Sequence, residues 1–223
     1  MKPTEVGMDL SVALVQAYLR VNGYFTVAEF PVVESVAVRG APDELRTATD
    51  IDIMGFRFPR SAQLVPASGR RSARDRRLLA VDPAIGAPPE SGDMIIGEVK
   101  EGRAELNANA TAPSVLRAAL IRFGCCDPEH AVGVVDELAV RGKAVLPNGH
   151  AVRLLAFGTS TSPTAAGRPF VHTVSLVHIR SFLREYVHTN WRVLKAGGTK
   201  DEALSWVYLE EKMAQAAARG GRR

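Results

Sequence analysis

Apolar residues recur at helical spacing in the first periodic segment of the chain, residues 9–22. Its apolar face consists of Leu10, Leu14, Ala17 and Val21. Steps of three and four residues place these side chains on one side of an α-helix. Asp9 can cap the start of this helix, and Asn22-Gly23 favours its end, because glycine readily takes the left-handed conformation that terminates many helices.

Strand-like runs follow at residues 24–33 and 48–58, which are rich in aromatic and β-branched residues. In the second run, apolar residues alternate with Asp50 and Asp52. Side chains alternate between the two faces of a strand, so we expect both aspartates on one face. Residues 93–100 begin apolar and end in charge, which predicts a buried central strand.

The rest of the pattern mixes helices and strands. Helices are expected at residues 112–123, 127–141 and 181–194 and from residue 199, and strands at residues 151–157 and 170–179. Asp127 and Thr199 stand where helix caps are expected, the latter in a capping box, and Pro128 stands at a first helical position. This mixture predicts an α/β fold with a central mixed β-sheet flanked by helices.

The composition suits one domain over residues 1–223, because 46% of the residues are hydrophobic and 23% are charged. Lys and Arg number 28 against 24 Asp and Glu, an excess that neither proves nor opposes a polyanionic partner. No run reaches the roughly 18 apolar residues of a membrane-spanning helix, and residues 1–5 lack the apolar run of a secretory signal. The adjacent Cys125 and Cys126 exclude a disulfide framework and a four-cysteine zinc site. We expect a soluble, cytoplasmic protein.

Residues 61–92 break every periodic pattern and contain many prolines and glycines, which predicts a long connection. The connection carries a basic cluster of Arg70, Arg71, Arg74, Arg76 and Arg77. Guanidinium groups pair well with phosphate oxygens, so the cluster is a candidate nucleic-acid contact. A solvated surface loop explains the same composition equally well.

Two pairs of charged residues interrupt apolar strands: Asp50 with Asp52, and Glu98 with Lys100. Each pair has the spacing that puts both side chains on one face of a strand. If the two strands are neighbours, carboxylates and an ammonium group converge, at a free-energy cost unless a cation or an ion pair compensates it. Such a cluster suits Mg²⁺-assisted phosphodiester hydrolysis. The alternative is a cross-strand ion pair on a solvated face, with no catalytic role.

The order of these segments resembles the core of the PD-(D/E)XK, or restriction-endonuclease-like, nuclease superfamily. The resemblance rests on an N-terminal helix ending in Asn22-Gly23-Tyr24, a strand, the run Asp50-Ile51-Asp52-Ile53-Met54-Gly55 and the run Ile95-Ile96-Gly97-Glu98-Val99-Lys100. It implies an αβββαβ core over residues 9–157, with residues 61–92 as an insertion. A strand and two helices at residues 170–218 would be additions to that core.

The resemblance also implies roles for individual residues. Asp52 and Glu98 would bind Mg²⁺ or Mn²⁺ together with the main-chain carbonyl of Val99. Lys100 would serve the attacking water, and Asp50 would support the ligands from outside the metal site. We therefore expect a metal-dependent endonuclease that hydrolyses phosphodiester bonds in DNA. The alternative is a catalytically inactive protein of this fold that acts as a nucleic-acid-binding or protein-interaction module. A homodimer through the C-terminal helices is a further expectation from their placement.

Overall fold

The computed structural model describes residues 9–40, 42–59, 61, 81–161, 171–197 and 199–220. The helices are α1 (Leu10–Val21), α2 (Pro113–Arg122), α3 (Pro128–Arg141), α4 (Leu176–Gly197) and α5 (Glu202–Gly220), with a 3₁₀ helix at Pro83–Ile85. The strands are β1 (Phe25–Val36), β2 (Glu44–Arg57), β3 (Asp93–Arg103), β4 (Lys143–Val145), β5 (Ala151–Ser160) and β6 (His172–Ser175).

The six strands form one mixed sheet in the order β1-β2-β3-β5-β4, with β6 paired to β5. The first three strands are antiparallel neighbours, whereas β3 and β5 run parallel. A parallel connection needs a crossover, and the chain between β3 and β5 contains α2 and α3. The predicted α/β fold, a central mixed sheet flanked by helices, is confirmed.

Two apolar cores lie on opposite faces of the sheet. The α1 face packs α1, α4 and α5 against Ile95 and Val99 of β3. The α2 face packs α2 and α3 against Met94 and Ile96 of the same strand. Strand β3 is therefore buried on both sides, as its apolar sequence predicted, and its charged end emerges from this buried stretch.

Helix α1 begins and ends as its sequence predicted. Asp9 Oδ1 accepts a hydrogen bond of 2.6 Å from the N–H of Ser11, and Gly23 after the helix has a φ of 88°. The predicted apolar face is only partly correct, because the Leu10 side chain is 76% exposed. The helix is buried only from Val12 onwards, so its first turn extends beyond the cover of the sheet.

The other helix starts agree less closely with the sequence patterns. Helix α3 begins at Pro128, as expected, but the Asp127 side chain makes no capping hydrogen bond. In α5 the expected cap at Thr199 is wrong, because Asp201 Oδ1 accepts the N–H of Leu204 at 3.0 Å. Both segments offered more than one polar residue that could satisfy the free N–H groups of the first turn.

The strand expected at residues 170–179 is wrong beyond Ser175. Strand β6 ends there, and α4 begins at Leu176. The Ser175 hydroxyl accepts the N–H of Val177 at 3.1 Å, the contact that a helix cap makes. Sequence analysis also missed the three-residue strand β4, which is too short to show a period.

The basic cluster Arg70, Arg71, Arg74, Arg76 and Arg77 lies outside the described residues. Within the connection at residues 61–92, the described part is Ser61 and residues 81–92, which include the 3₁₀ helix. Among the described helices, none has the length and apolar character that crossing a membrane requires.

Candidate active site

Strands β2 and β3 separate where their charged residues lie. Their last ladder pair at this end is Ile53 with Gly97. Beyond it, the side chain of Asp52 takes the place of the backbone, since its Oδ2 accepts the N–H of Val99 at 2.7 Å. The Asp52 carboxylate is thus held in the gap between the two strands.

The alternation of β2 is interrupted at Asp52. Ile51 packs on the α2 face and Ile53 on the α1 face, although residues two apart in a regular strand share a face. The expectation that Asp50 and Asp52 point the same way is therefore wrong. Asp50 is exposed, and no described side chain donates a hydrogen bond to its carboxylate.

Glu98 is the most deeply buried acidic residue of the site. It is 2% exposed, and its Oε1 has no hydrogen-bond partner within the described residues. Its Oε2 lies 3.4 Å from Lys100 Nζ. A buried carboxylate oxygen without a partner costs free energy, so this atom marks a position where a proton or a cation is needed.

Lys100 joins the two carboxylates. Its Nζ lies 3.4 Å from Glu98 Oε2 and 3.9 Å from Asp52 Oδ2. The side chain is 39% exposed, so the ammonium group stands at the mouth of the site while Glu98 lines its floor. The structure thus brings Asp52, Glu98 and Lys100 together, and it leaves Asp50 outside.

Burial raises the pKa of Glu98 to about 7, and repulsion from the Asp52 carboxylate adds to this rise. The Lys100 ammonium and the backbone N–H of Asn107 act in the opposite direction and lower the pKa. Near neutral pH the site therefore holds one acid that titrates beside a second carboxylate. A divalent cation would favour the ionised form of both.

The donor set fits a hard cation. Two carboxylates supply oxygen ligands, and Mg²⁺ usually binds to one or two carboxylates and retains several waters. Within the described ranges, no group of three or more His, Cys, Asp or Glu side chains could hold a metal ion. The observation that favours a cation here is the unpartnered Glu98 Oε1. Ligation by the Val99 carbonyl stays a prediction.

The segment after β3 supports the floor of the site. The N–H of Ala104 donates to the carbonyl of Ser160 at 2.9 Å, and the following turn is closed by the Thr111 hydroxyl, which donates to the carbonyl of Asn107 at 2.9 Å. The backbone N–H of Asn107 in this turn acts to lower the pKa of Glu98. The segment after β3 passes close to β5 at Gly158. This close approach requires a glycine, because a Cβ atom at Gly158 would overlap the backbone of Ala104.

Sequence reasoning missed these supporting positions. Gly158 directly follows the strand expected at residues 151–157, and a glycine at such a position was the available signal for a close backbone approach. Nothing in the sequence distinguished Asn107 from other loop asparagines, because its role rests on the backbone N–H alone.

Comparisons with known proteins give no family for this chain: no protein-family model matches it, and no curated protein or solved structure matches it.

Proposed function

We propose that this protein is a Mg²⁺- or Mn²⁺-dependent endonuclease of the PD-(D/E)XK type that hydrolyses phosphodiester bonds in DNA. The observation that carries the proposal is the convergence of Asp52 and Glu98 on Lys100, with Glu98 Oε1 buried and without a hydrogen-bond partner among the residues that the structure describes. An acid with a raised pKa beside a charge partner is typical of functional sites.

The topology supports the same proposal. Helix α1, the antiparallel strands β1 to β3 and a helical crossover to the parallel strand β5 follow the αβββαβ order that the resemblance implies. Asp52 belongs to β2 and Glu98 and Lys100 to β3, the central strands of that order. Fold alone does not determine function, so the side-chain cluster has to carry the assignment.

Asp52 and Glu98 would hold the metal ion, with the Val99 carbonyl as a third ligand. Bound there, the ion supplies polarisation of the phosphoryl oxygen and a bound water of lowered pKa. The chain's own groups then orient the reaction. The N–H of Val99 fixes the Asp52 carboxylate, and the exposed Lys100 ammonium can position a water molecule or balance negative charge that develops on the phosphate.

A cleavage assay tests the proposal. The wild type should cut plasmid or single-stranded DNA with Mg²⁺ or Mn²⁺, and an RNA substrate defines whether the activity is limited to DNA. Asp52→Ala and Lys100→Ala should each lower the rate at least about a hundredfold, because each removes a group that acts on the reacting centre. The matched control is Glu101→Ala, an exposed neighbour on β3. Equal cutting by all variants would contradict the assignment.

DNA as the partner is supported by the chemistry of the site and not by a described basic surface. If the pure wild type binds DNA but does not cut it with either ion, the catalytically inactive binding module replaces the enzyme. Binding at several salt concentrations measures the phosphate contacts, since affinity for DNA falls with salt in proportion to their number. Deleting residues 70–77 tests the contribution of the arginine cluster.

A cytoplasmic location and a homodimer through the C-terminal helices also stay predictions. On α5, Trp206, Leu209 and Met213 are exposed at spacings that place them along one side of the helix. Light scattering on the purified chain measures the oligomeric state, and Trp206→Glu is the variant most suited to shift it.

A further inference from the structure

Glu29 of β1 has a backbone conformation that its residue type disfavours. Its φ is 51°, the only positive φ of a non-glycine residue in the described part of the chain. In this left-handed region the Cβ atom crowds the following carbonyl, and only glycine, asparagine and aspartate adopt it readily. Such a conformation persists only where the surrounding structure enforces it.

The strained residue lies directly opposite Asp52. The β1–β2 ladder pairs Ala28 with Ile53 and Phe30 with Ile51, and it omits the intervening pair of Glu29 and Asp52. The ladder keeps its register on both sides of the omitted pair, so no residue is inserted.

Both strands exchange faces at this pair. On β1, Ala28 packs on the α1 face and Phe30 on the α2 face, although only Glu29 separates them. On β2, Ile51 and Ile53 are divided in the same way around Asp52. The two interruptions are thus one shared feature of the hairpin.

We propose that the left-handed conformation of Glu29 is a positioning device that turns the Asp52 carboxylate into the plane of the sheet. In a regular strand, side chains stand roughly perpendicular to the sheet and cannot reach the N–H groups of the neighbouring strand. Asp52 does reach one, the N–H of Val99 at 2.7 Å. Because the Glu29–Asp52 pair does not follow the regular alternation of the two strands, the Asp52 side chain can turn towards β3 and make this contact.

The inference concerns the backbone of Glu29 and not its carboxylate. The side chain is exposed, and it makes no hydrogen bond or ion pair with another described residue. Glu29 also belongs to no described group of three acidic, histidine or cysteine side chains that could hold a metal ion. The consequence for metal binding rests on the proposed function, whereas the consequence for the Asp52 contact does not.

The test compares substitutions by the φ that they allow. Glu29→Gly and Glu29→Asn accept a positive φ, whereas Glu29→Val opposes it and favours a regular strand. Glu29→Ala is a milder version of the valine variant, in case the latter does not fold. Ser35→Val is the matched control, since Ser35 is an exposed polar residue of β1 without a positive φ.

The first measurement is amide hydrogen exchange of Val99 by NMR in the metal-free protein. Glu29→Val and Glu29→Ala should speed exchange of this amide at least about tenfold, because its acceptor is lost, as it is in an Asp52→Ala reference. Glu29→Gly, Glu29→Asn and Ser35→Val should leave it within about twofold of the wild type.

The second measurement is Mn²⁺ affinity by calorimetry. We expect a loss of at least about tenfold in Glu29→Val and wild-type affinity in Glu29→Gly, as for groups that orient metal ligands. Unchanged Val99 exchange in both the valine and alanine variants, or equal losses in the glycine and valine variants, would overturn the inference. A wild type that binds no Mn²⁺ refutes the proposed function, and the exchange of Val99 then still decides the role of Glu29.

Discussion

At Glu98 the site binds a proton more tightly than an ordinary carboxylate does. The side chain is almost fully buried, faces a second carboxylate and has one oxygen without a hydrogen-bond partner in the described part of the chain. Its pKa rises from 4.5 to about 7 in the folded protein. A cation bound between the two carboxylates would relieve their mutual repulsion. We therefore expect the ionised form of Glu98, which is costly without a cation, to favour cation binding.

The sign of this shift predicts how stability depends on pH. The folded protein binds the Glu98 proton more tightly than the unfolded chain does, so the contribution of Glu98 to the free energy of unfolding is fully present below pH 4.5 and is lost as the pH rises through about 7. Glu98→Gln imitates the protonated acid and avoids this loss. With EDTA present, we expect the variant to exceed the wild type by about 3 kcal/mol at high pH, from the rise in pKa from 4.5 to about 7 at 1.36 kcal/mol per pKa unit.

Urea unfolding at a series of pH values measures this difference. The difference in unfolding free energy should increase only between pH 4.5 and about 7, the pKa values of Glu98 in the unfolded and folded protein. The control Glu101→Gln, a substitution at an exposed neighbour, should show no such increase. A constant difference across that range would mean that Glu98 is not the group with the raised pKa.

Metal binding should restore the stability that is lost when Glu98 ionises. We expect Mn²⁺ at 100 times its dissociation constant to raise the free energy of unfolding of the wild type by about 2.7 kcal/mol. At the same Mn²⁺ concentration, the free energy of unfolding of Asp52→Ala should rise far less, because this variant has lost one of the two carboxylate ligands. Thermal unfolding with and without Mn²⁺ measures the gain, and Ca²⁺ serves as a second ion with a larger coordination shell. Equal gains in the wild type and Asp52→Ala would place the ion elsewhere.

At the scale of elements, the site depends on where β3 leaves the sheet. The chain after Lys100 crosses the end of β5 at Gly158 and then forms the turn that carries Asn107. A Cβ atom at Gly158 would overlap the backbone of Arg103 and Ala104, which cannot move aside as a flexible side chain does. The glycine therefore fixes the path of the chain towards Glu98.

Gly158→Ala tests this crossing. We expect a loss of about 1–3 kcal/mol in the free energy of unfolding, the usual cost of overpacking, together with lower cleavage activity. Gly102→Ala is the matched control, because a Cβ atom there has no neighbour within 4 Å among the described residues. Circular dichroism during urea unfolding measures the stabilities. If both alanine variants match the wild type, the crossing is not as close as the structure shows it.

The elements differ in how far sequence could predict them. Helix α1 carries a clear helical period and strand β3 a continuous apolar run, and both are found where expected. Spacing predicted that Glu98 and Lys100 share a face and can meet the aspartates of a paired strand, whereas the choice of Asp52 over Asp50 came from the resemblance to the PD-(D/E)XK core. The orientation of Asp52 did not follow, since it depends on an interruption that only the register with Glu29 reveals.

On the scale of the whole molecule, a second polar network ties the end of the long connection to the sheet. Asp93 is fully buried, and both its oxygens accept hydrogen bonds from Arg153, at 2.8 and 2.6 Å. Arg153 also donates to the carbonyl of Ile85 at 2.9 Å, and Arg57 lies beside the pair with its Nε buried and unpartnered in the described residues. The network spans β2, β3 and β5 beneath the 3₁₀ helix.

A nearby anchor joins the same segment to the helices of the α1 face. The Asp82 carboxylate accepts hydrogen bonds from the Tyr18 hydroxyl at 2.7 Å and from the N–H of Ala84 at 2.9 Å, and it lies 2.6 Å from His178 Nε2. Burial acts to raise the pKa of Asp82, but these hydrogen bonds outweigh it and hold the pKa below its usual value. Stability from this contact is therefore present at neutral pH and is lost as the pH falls through the lowered pKa.

Breaking the buried pair should cost far more stability than breaking a surface ion pair. Asp93→Asn leaves the guanidinium groups of Arg153 and Arg57 buried without their anion, so we expect a loss of about 3–5 kcal/mol in the free energy of unfolding. Replacing both partners, in Asp93→Leu with Arg153→Met, should cost less than Asp93→Asn, because the Arg153 guanidinium is removed together with its anion and only Arg57 stays without one. The control is Glu34→Gln, which breaks an exposed pair with Arg46 and should cost at most about 1 kcal/mol. Urea unfolding of the wild type and the three variants measures these costs. If Asp93→Asn costs as little as the control, water reaches the network, and the network does not anchor the long connection.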